Sequence, residues 1–504
     1  MSLFAVLDWS VWAWLLYGTI WLILSVFGMH RGWLVLQHQL HARQARPEPP
    51  LPATPPTVLV QLPIFNERYV APRLIRAVAA LDYPRASLEI QVLDDSTDDT
   101  PQVVAPVVAE LQAQGFQITH LRRESREGYK AGALAWGLER SAAPYIAIFD
   151  ADFVPAPDFL QRTVGYFTSP QIGMVQTRWE HLNRDFSLLT RAQSILLDGH
   201  FVIEHTARHR SGCFFNFNGT AGIWRRAAIV AAGGWQHDTV TEDLDLSYRA
   251  QSLGWKFIYL DQLTTPAELP VEICDFKTQQ YRWTKGAMQT CRKVLWRVLT
   301  APVPFKCKVE ASFHLLSNLC YPLMVLMALM LGPMCWLRNE IQWNAPLWLD
   351  LPLLLATTIS MLTFYFRSQV AIGRGNFKTA GLMPAVLCLG LGMSLNNAWA
   401  SIEGLFRHGG EFVRTPKYHV TDGAAGNPVT HRNYAHTRST IVPWLELFMF
   451  IYMLLVDTYN IALGQWLAIP FVTLFVGGFG YVAMLTWRGR WQHAHPTLPL
   501  PTEA

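Results

Sequence analysis

The placing of its long apolar runs constrains this chain more than any other feature. One run occupies residues 9–28, and the others come only after residue 311, at about 312–337, 348–366, 379–398, 441–462 and 466–487. Some 20 apolar residues in a helix match the hydrocarbon thickness of a bilayer. The pattern is that of a membrane protein with a large polar insert between its first and second spans. Composition agrees: 51% of residues are hydrophobic, only 15% are charged, and 20 are tryptophan, a residue enriched at membrane interfaces. A net charge of +4 is too small to argue for nucleic acid as a partner. The seven cysteines are scattered, odd in number and form no C-x-x-C, which fits free thiols better than a disulfide framework or a zinc site.

Flanking charges set the orientation. Residues 1–8 carry no positive charge and Arg31 follows the first run, so a retained anchor is expected rather than a cleaved signal peptide. Arg31, Arg43 and Arg46 then place residues 30–310 in the cytoplasm. The runs at 312–337 and 348–366 form a hairpin that returns at Arg367, Arg374 and Lys378, and the last two runs form another that ends at Arg488 and Arg490. The run 379–398 has basic residues on both sides and contains Asn396 and Asn397, so it is read as an interfacial or re-entrant helix packed on protein. Five crossings result. The expected division is an anchor (1–29), a basic, proline-rich linker (30–56), a cytoplasmic domain (57–310), a hairpin (311–367), an interfacial helix with a cytoplasmic loop (368–440), a second hairpin (441–487) and a tail (488–504).

From residue 57 short strands alternate with helices. Residues 57–62, 89–93, 117–121, 145–149 and 173–177 read as strands, and 69–81, 102–113, 129–140 and 157–167 as helices, with Thr100 as a cap and Pro101 at the first helical position. Such alternation predicts a doubly wound, mainly parallel α/β sheet, in which ligands bind at the carboxyl ends of the strands. From about 180 to 300 the pattern is less regular.

Two acidic clusters fall at strand exits: Asp94-Asp95-Ser96-Thr97-Asp98, and Asp150-Ala151-Asp152. Asp98 and Asp99 suit a turn or helix cap. Two carboxylates placed like Asp150 and Asp152 repel unless a cation lies between them, and hard oxygen ligands suit Mg2+ or Mn2+ that shares its coordination with phosphates. Lys130 stands near the start of a predicted helix, behind Arg122, Arg123 and Arg126, a setting suited to phosphate. A nucleoside diphosphate is the ligand these features share. The chain has no G-x-x-x-x-G-K-[ST], G-x-G-x-x-G, His-Glu-x-x-His or Gly-x-Ser-x-Gly, so ATPase, dinucleotide, zincin and serine-hydrolase chemistries lose their main support. Downstream, Thr241-Glu242-Asp243 offers a candidate base, Arg282 a bidentate clamp for phosphate or carboxylate, and Trp283 a flat face for a pyranose ring.

Taken in order, Pro63-Ile64-Phe65-Asn66-Glu67, Val92–Asp98, Asp150-Ala151-Asp152, Thr241-Glu242-Asp243 and Gln279-x-x-Arg282-Trp283 resemble the motifs of processive family 2 glycosyltransferases. Arg126–Leu134, Phe217–Gly222 and Arg414–Tyr418 are similar to the cellulose-synthase-like mannan and glucan synthases. The resemblance implies a GT-A fold, with Asp94 and Asp95 at the nucleotide, Lys130 beside it, and Asp150 and Asp152 holding metal and diphosphate. It makes Asp243 the base and puts Gln279, Arg282, Trp283 and the loop of Asn218, Gly219 and Thr220 at the acceptor. It also implies a donor such as GDP-mannose or UDP-glucose, a growing glycan chain as partner, and a lipid environment. Phe412-Val413-Arg414-Thr415-Pro416-Lys417 resembles the gating loop of cellulose synthases, with Arg414 departing from its pattern. Only 17 residues follow Trp487, so no appended cyclic-dinucleotide domain is expected. An inverting, processive β-glycosyltransferase is the leading expectation. Transfer of a single sugar to a membrane lipid is the alternative, and an inactive receptor or transporter on the same scaffold a third.

Overall fold

The computed structural model describes residues 3–41, 48–340, 345–410, 413–422 and 441–494. Seven strands form one sheet: β1 (Val58–Ile64), β2 (Leu88–Asp94), β3 (Gln117–Leu121), β4 (Tyr145–Ile148), β5 (Ile172–His181), β6 (Gly222–Arg225) and β7 (Lys256–Ala267), in the order β3-β2-β1-β4-β6-β5-β7. β1 pairs in parallel with β2 and β4, β6 is antiparallel to both its neighbours, and β5 and β7 are parallel. The sheet is therefore doubly wound and mainly parallel, as its strand–helix alternation predicts. Alternate residues of β1 enter opposite cores: Val58, Val60 and Leu62 pack with Leu74 and Val104 on one face, and Leu59 packs with Leu134 and Ile146 on the other. Coverage on both faces is why these strands read as nearly continuous apolar runs. β6 and β7 lie in the stretch that reads as irregular. β6 is only four residues long, and β7 interleaves apolar and polar residues without strict alternation.

The helix after β2 begins at Thr100, one residue before its expected first turn, with Asp99 rather than Thr100 at the cap position. The Asp98 carboxylate accepts from the Thr100 N–H at 2.9 Å, and Asp99 pairs with Arg68, so both aspartates serve the turn. The linker expected from residue 30 also starts later. The first helix runs unbroken from Leu3 to Leu40, because proline is absent until residue 47 and Gly32 is used for close packing. The Gly32 N–H donates to Ser360 Oγ at 2.6 Å, and a Cβ at Gly28 would lie 2.3 Å from Thr357 Cγ2. Arg43 and Arg46 lie outside the described residues.

Among the described residues five helical stretches are long and apolar enough to cross a membrane: Ser10–Leu40, Phe305–Glu340, Leu351–Ala371, Val442–Ala462 and Ile469–Trp491. The run read as one interfacial or re-entrant helix is a pair, Phe377–Gly392 and Ser394–Phe406, bent by 42°. Asn396 is packed on protein, its Nδ2 donating to the Lys277 carbonyl at 3.2 Å.

Candidate functional site

A cleft of about 150 Å³ opens at the carboxyl ends of β1, β2 and β4. Asp95 lines it one residue beyond β2, its carboxylate gripped by Arg123 through Nε at 3.0 Å and Nη2 at 2.5 Å. Arg123 also donates to the carbonyls of Glu127 and Tyr129, at 2.8 and 3.0 Å. One guanidinium thus fixes Asp95 and shapes the turn that starts the helix Tyr129–Leu138. Lys130, in the first turn of that helix, donates to Asp150 Oδ1 at 2.5 Å and to the Gly219 carbonyl at 2.9 Å. Burial opposes the Lys130 charge, but Asp150, Glu242 and Asp243 outweigh it and raise its pKa.

Asp94 does not join them. As the last residue of β2 it points to the opposite side of the strand from Asp95. It is buried, accepting from His120 Nε2 at 2.8 Å and from the Ser96 N–H at 2.9 Å, so it braces the strand end. Thr220 is likewise buried outside the cleft and accepts from the Asp150 N–H at 2.9 Å, fixing the carboxylate's backbone.

Asp150 and Asp152 both face the cleft, each neutralised by a lysine. Lys130 serves Asp150, and Lys417 lies 2.7 Å from Asp152 Oδ2. No cluster of three or more His, Cys, Asp or Glu side chains is present among the described residues. Two carboxylates without a third protein ligand fit a hard divalent ion completed by phosphate oxygens, and do not fit a closed structural metal site.

The remaining wall comes from the helices Glu242–Ser252 and Ile273–Thr300. Asp243 sits in the first turn of the former, where the helix N-terminus favours an anion, and its Oδ1 accepts from the Leu244 N–H at 2.8 Å. Burial and the adjacent Glu242 nevertheless push its pKa up to about 7. Gly219, at φ 82°, lets the backbone reach this carboxylate: a Cβ there would lie 3.0 Å from Asp243 Oδ2 and 3.3 Å from Lys130 Nζ.

Gln279, Arg282 and Trp283 line the cleft from one face of the helix Ile273–Thr300, which Gly286 continues at helical spacing. Burial lowers the Arg282 pKa against Asp150, Glu242 and Asp243, which act to raise it. Gly286 docks this helix on the Thr241 loop, where a Cβ would come within 2.5 Å of Thr241 Cγ2. Around the helix, Gln280, Thr284 and Ala287 line a second cavity of about 540 Å³, walled by helices of the membrane region. The two cavities share Trp179, Leu197, Asn218, Thr241, Asp243 and Trp283. The Trp179 and Trp283 rings lie 6.3 Å apart, forming an aromatic neck between them.

One wall residue escapes a reading of the sequence alone, and others show contacts that it does not foretell. Trp179 stands inside β5, where an aromatic residue reads as core. Arg126 stacks over Phe65 at 3.4 Å from the ring centroid, beside Asp95 in the cleft. Arg414 pairs with Glu67 at 3.1 Å, and the Tyr418 N–H donates to Glu268 at 2.8 Å, so residues 413–422 lie across the cleft. Phe412 of the gating-type loop lies outside the described residues. Only its motif in the sequence could flag this segment, since its partners lie some 150 to 350 residues away in the chain.

The mixed sheet, with acidic residues at the ends of β2 and β4, is compatible with a GT-A fold, and the comparisons with known proteins agree. The family described as Glycosyltransferase like family 2 matches residues 55–286. Over 455 residues the chain is 36% identical to glucomannan 4-beta-mannosyltransferase 2 of Arabidopsis thaliana, spanning 85% of this chain and 81% of that protein. Over 268 residues it is 45% identical to glucomannan 4-beta-mannosyltransferase 1 of Oryza sativa subsp. japonica, spanning 52% of this chain and 51% of that protein. Mannosyltransferase PcManGT from Pyrobaculum calidifontis, solved in complex with GDP-Man and Mn2+, has the same fold, with a TM-score of 0.53 at 19% identity over 77% of this chain and 99% of that one. The chain belongs to glycosyltransferase family 2, in the cellulose-synthase-like branch with the glucomannan mannosyltransferases.

Proposed function

We propose that this enzyme extends a β-1,4-linked mannan or glucomannan, one hexose at a time, from GDP-mannose, and passes the product into the membrane region. One observation carries the reading: Asp243, Asn218, Trp179 and Trp283 form walls of both the donor cleft and the membrane-side cavity. A sugar acceptor at that neck would meet the base on one side and a path for the growing chain on the other. UDP-glucose is the competing donor, and cytoplasmic placement of the cleft follows the basic flanks of the spans.

Asp95 and Lys130 bind the nucleotide side of the donor, and Arg282 steadies the diphosphate as charge develops on it. Asp150 and Asp152 would hold Mg2+ or Mn2+, which when bound supplies further neutralisation of the diphosphate. Asp243 takes the proton of the acceptor hydroxyl as its oxygen attacks the anomeric carbon. The bond from that carbon to the diphosphate oxygen breaks with its electron pair leaving on the nucleotide, and the configuration inverts. Trp283 supports the acceptor ring, and Gln279 lies alongside to hold its hydroxyls.

The test is to incubate the purified full-length protein with labelled GDP-mannose and Mg2+ or Mn2+ and digest the product with a β-1,4-mannanase. A polymer that the mannanase degrades, and that Asp243→Asn fails to make, is the expected result. A single-sugar glycolipid would favour the lipid-acceptor reading. Failure to make polymer from any common nucleotide sugar, or full activity in Asp243→Asn, would overturn the proposal.

A further inference from the structure

Behind the neck, the residues Gly199–His205 form a π-helical turn between two α-helical segments. In an α-helix residues five apart point about 140° away from each other, whereas a π turn brings them to nearly one face. The imidazoles of His200 and His205 accordingly lie 4.3 Å apart, centroid to centroid, and both reach the Asn218 side-chain amide.

The hydrogen bonds here fix every proton from two independent ends. His205 Nε2 lies 3.1 Å from the Asn216 carbonyl and 2.7 Å from Asn218 Oδ1. A carbonyl can only accept, so Nε2 carries the hydrogen, and the Asn218 atom facing it must be the oxygen. From the other end, the Glu204 carboxylate lies 3.3 Å from His200 Nδ1, which places that ring's hydrogen on Nδ1. His200 Nε2 is then an acceptor, matched by Asn218 Nδ2 at 3.1 Å. Both chains of reasoning give the same amide orientation. Burial keeps both rings neutral, with His205 pushed down to about 3 and His200 well below its ordinary value.

A primary amide has two N–H donors and two acceptor lone pairs, and the histidines take one of each. What remains is one donor and one acceptor in fixed positions at the neck, next to Gly219 and the Asp243 carboxylate. This suits a sugar hydroxyl, which gives one hydrogen and accepts another. We propose that His200 and His205 are positioning residues that lock the Asn218 amide to bind a hydroxyl of the terminal sugar of the acceptor glycan. The inference rests on the polymerase reading above and adds to it the device that orients the acceptor.

The experiment uses the purified full-length enzyme with GDP-mannose as donor and β-1,4-mannotetraose as acceptor. His205→Leu keeps the bulk but loses the donor, whereas His205→Gln offers an N–H near the position of Nε2. The first variant is expected to raise the acceptor KM at least tenfold with the donor KM within twofold of wild type, and the second to restore the acceptor KM to within threefold. Should His205→Leu fail to accumulate, the same comparison is made with His200→Leu and His200→Gln, whose amide oxygen can accept from Asn218. Equal shifts in the Leu and Gln variants, or a donor KM that moves as far as the acceptor KM, would overturn the inference. If wild type makes no polymer from any common nucleotide sugar, the polymerase reading falls and this inference falls with it; if it makes polymer but the variants do not separate as stated, only the inference falls.

Discussion

Replacing Gly286 by alanine tests whether the base and the acceptor platform work as one unit. The added methyl would lie 2.5 Å from Thr241 Cγ2, 2.7 Å from Thr241 Oγ1 and 2.8 Å from the Thr241 backbone nitrogen. Ordinary contact needs about 3.5–4.0 Å, so the two segments must part by about 1 Å. The side chain has little room to yield, since Thr241 Oγ1 bonds Thr290 Oγ1 at 3.2 Å and its carbonyl accepts the Asp245 N–H at 3.2 Å. Alanine gains about 0.5–1 kcal/mol over glycine in a helix, but overpacking of this kind costs about 1–3 kcal/mol, so the clash prevails. A displacement of about 1 Å between base and acceptor lowers turnover about 100-fold, equivalent to about 2.7 kcal/mol of transition-state stabilisation. The assay is the initial rate of polymer formation at saturating donor, with donor affinity measured by nucleotide titration. Asp95, Asp150 and Asp152 belong to other elements, so the donor Kd should change less than threefold. Gly381→Ala, in open space, is the control and should retain wild-type turnover. A kcat within threefold of wild type in Gly286→Ala would refute the coupling.

Because burial and Glu242 raise the Asp243 pKa to about 7, and a base must be ionised to act, kcat/KM for the acceptor should fall about tenfold per pH unit below about 7 and level off above it. Glu242→Gln removes the like charge and should shift that acid limb to lower pH; coincident pH–rate profiles would count against the assignment. Gly219→Ala puts a Cβ 3.0 Å from Asp243 Oδ2 at a backbone φ of 82°, and should cost at least tenfold in kcat, measured by the same rate assay. Chelation of divalent ions should abolish transfer, and Asp152→Asn should raise the Mn2+ concentration for half-maximal activity at least tenfold in a metal titration.

The donor half of the site is legible in the sequence because Asp95, Asp150 and Asp152 each stand just beyond an apolar strand, and a parallel sheet collects its strand exits at one edge. Side-chain direction decides between neighbours: Asp94 and Asp95 look equivalent in the chain, yet strand alternation sends one to His120 and the other to the cleft. The acceptor half is only partly legible. Gln279, Arg282 and Trp283 fall on one helical face, but His200 and His205 meet only because the helix takes a π turn that no simple spacing rule anticipates. The same holds for contacts closed over long distances, such as Arg414 with Glu67 and Lys417 with Asp152. The last strands, β6 and β7, are hidden by shortness and by weak alternation.

The helix Ile273–Thr300 explains why donor site and membrane region work as one structure. One face presents Gln279, Arg282 and Trp283 to the cleft, and a second presents Gln280, Thr284 and Ala287 to the membrane-side cavity. A third is fastened to the bent helix pair: Glu403 accepts from Tyr281 and, at 2.9 Å, from Lys285, and a Cβ at Gly404 would lie 2.4 Å from the Lys285 carbonyl. Lys277, earlier in the same helix, reaches Glu446 and Thr486 on the last two spans. A helix held at these points has little freedom to swing, which fixes the backbone that carries Trp283 between the two cavities. On the other wall, residues 413–422 are tied to the cleft by contacts with Glu67, Asp152 and Glu268. Two of those three carboxylates are paired with cationic side chains whose charges a bound donor and its cation would disturb.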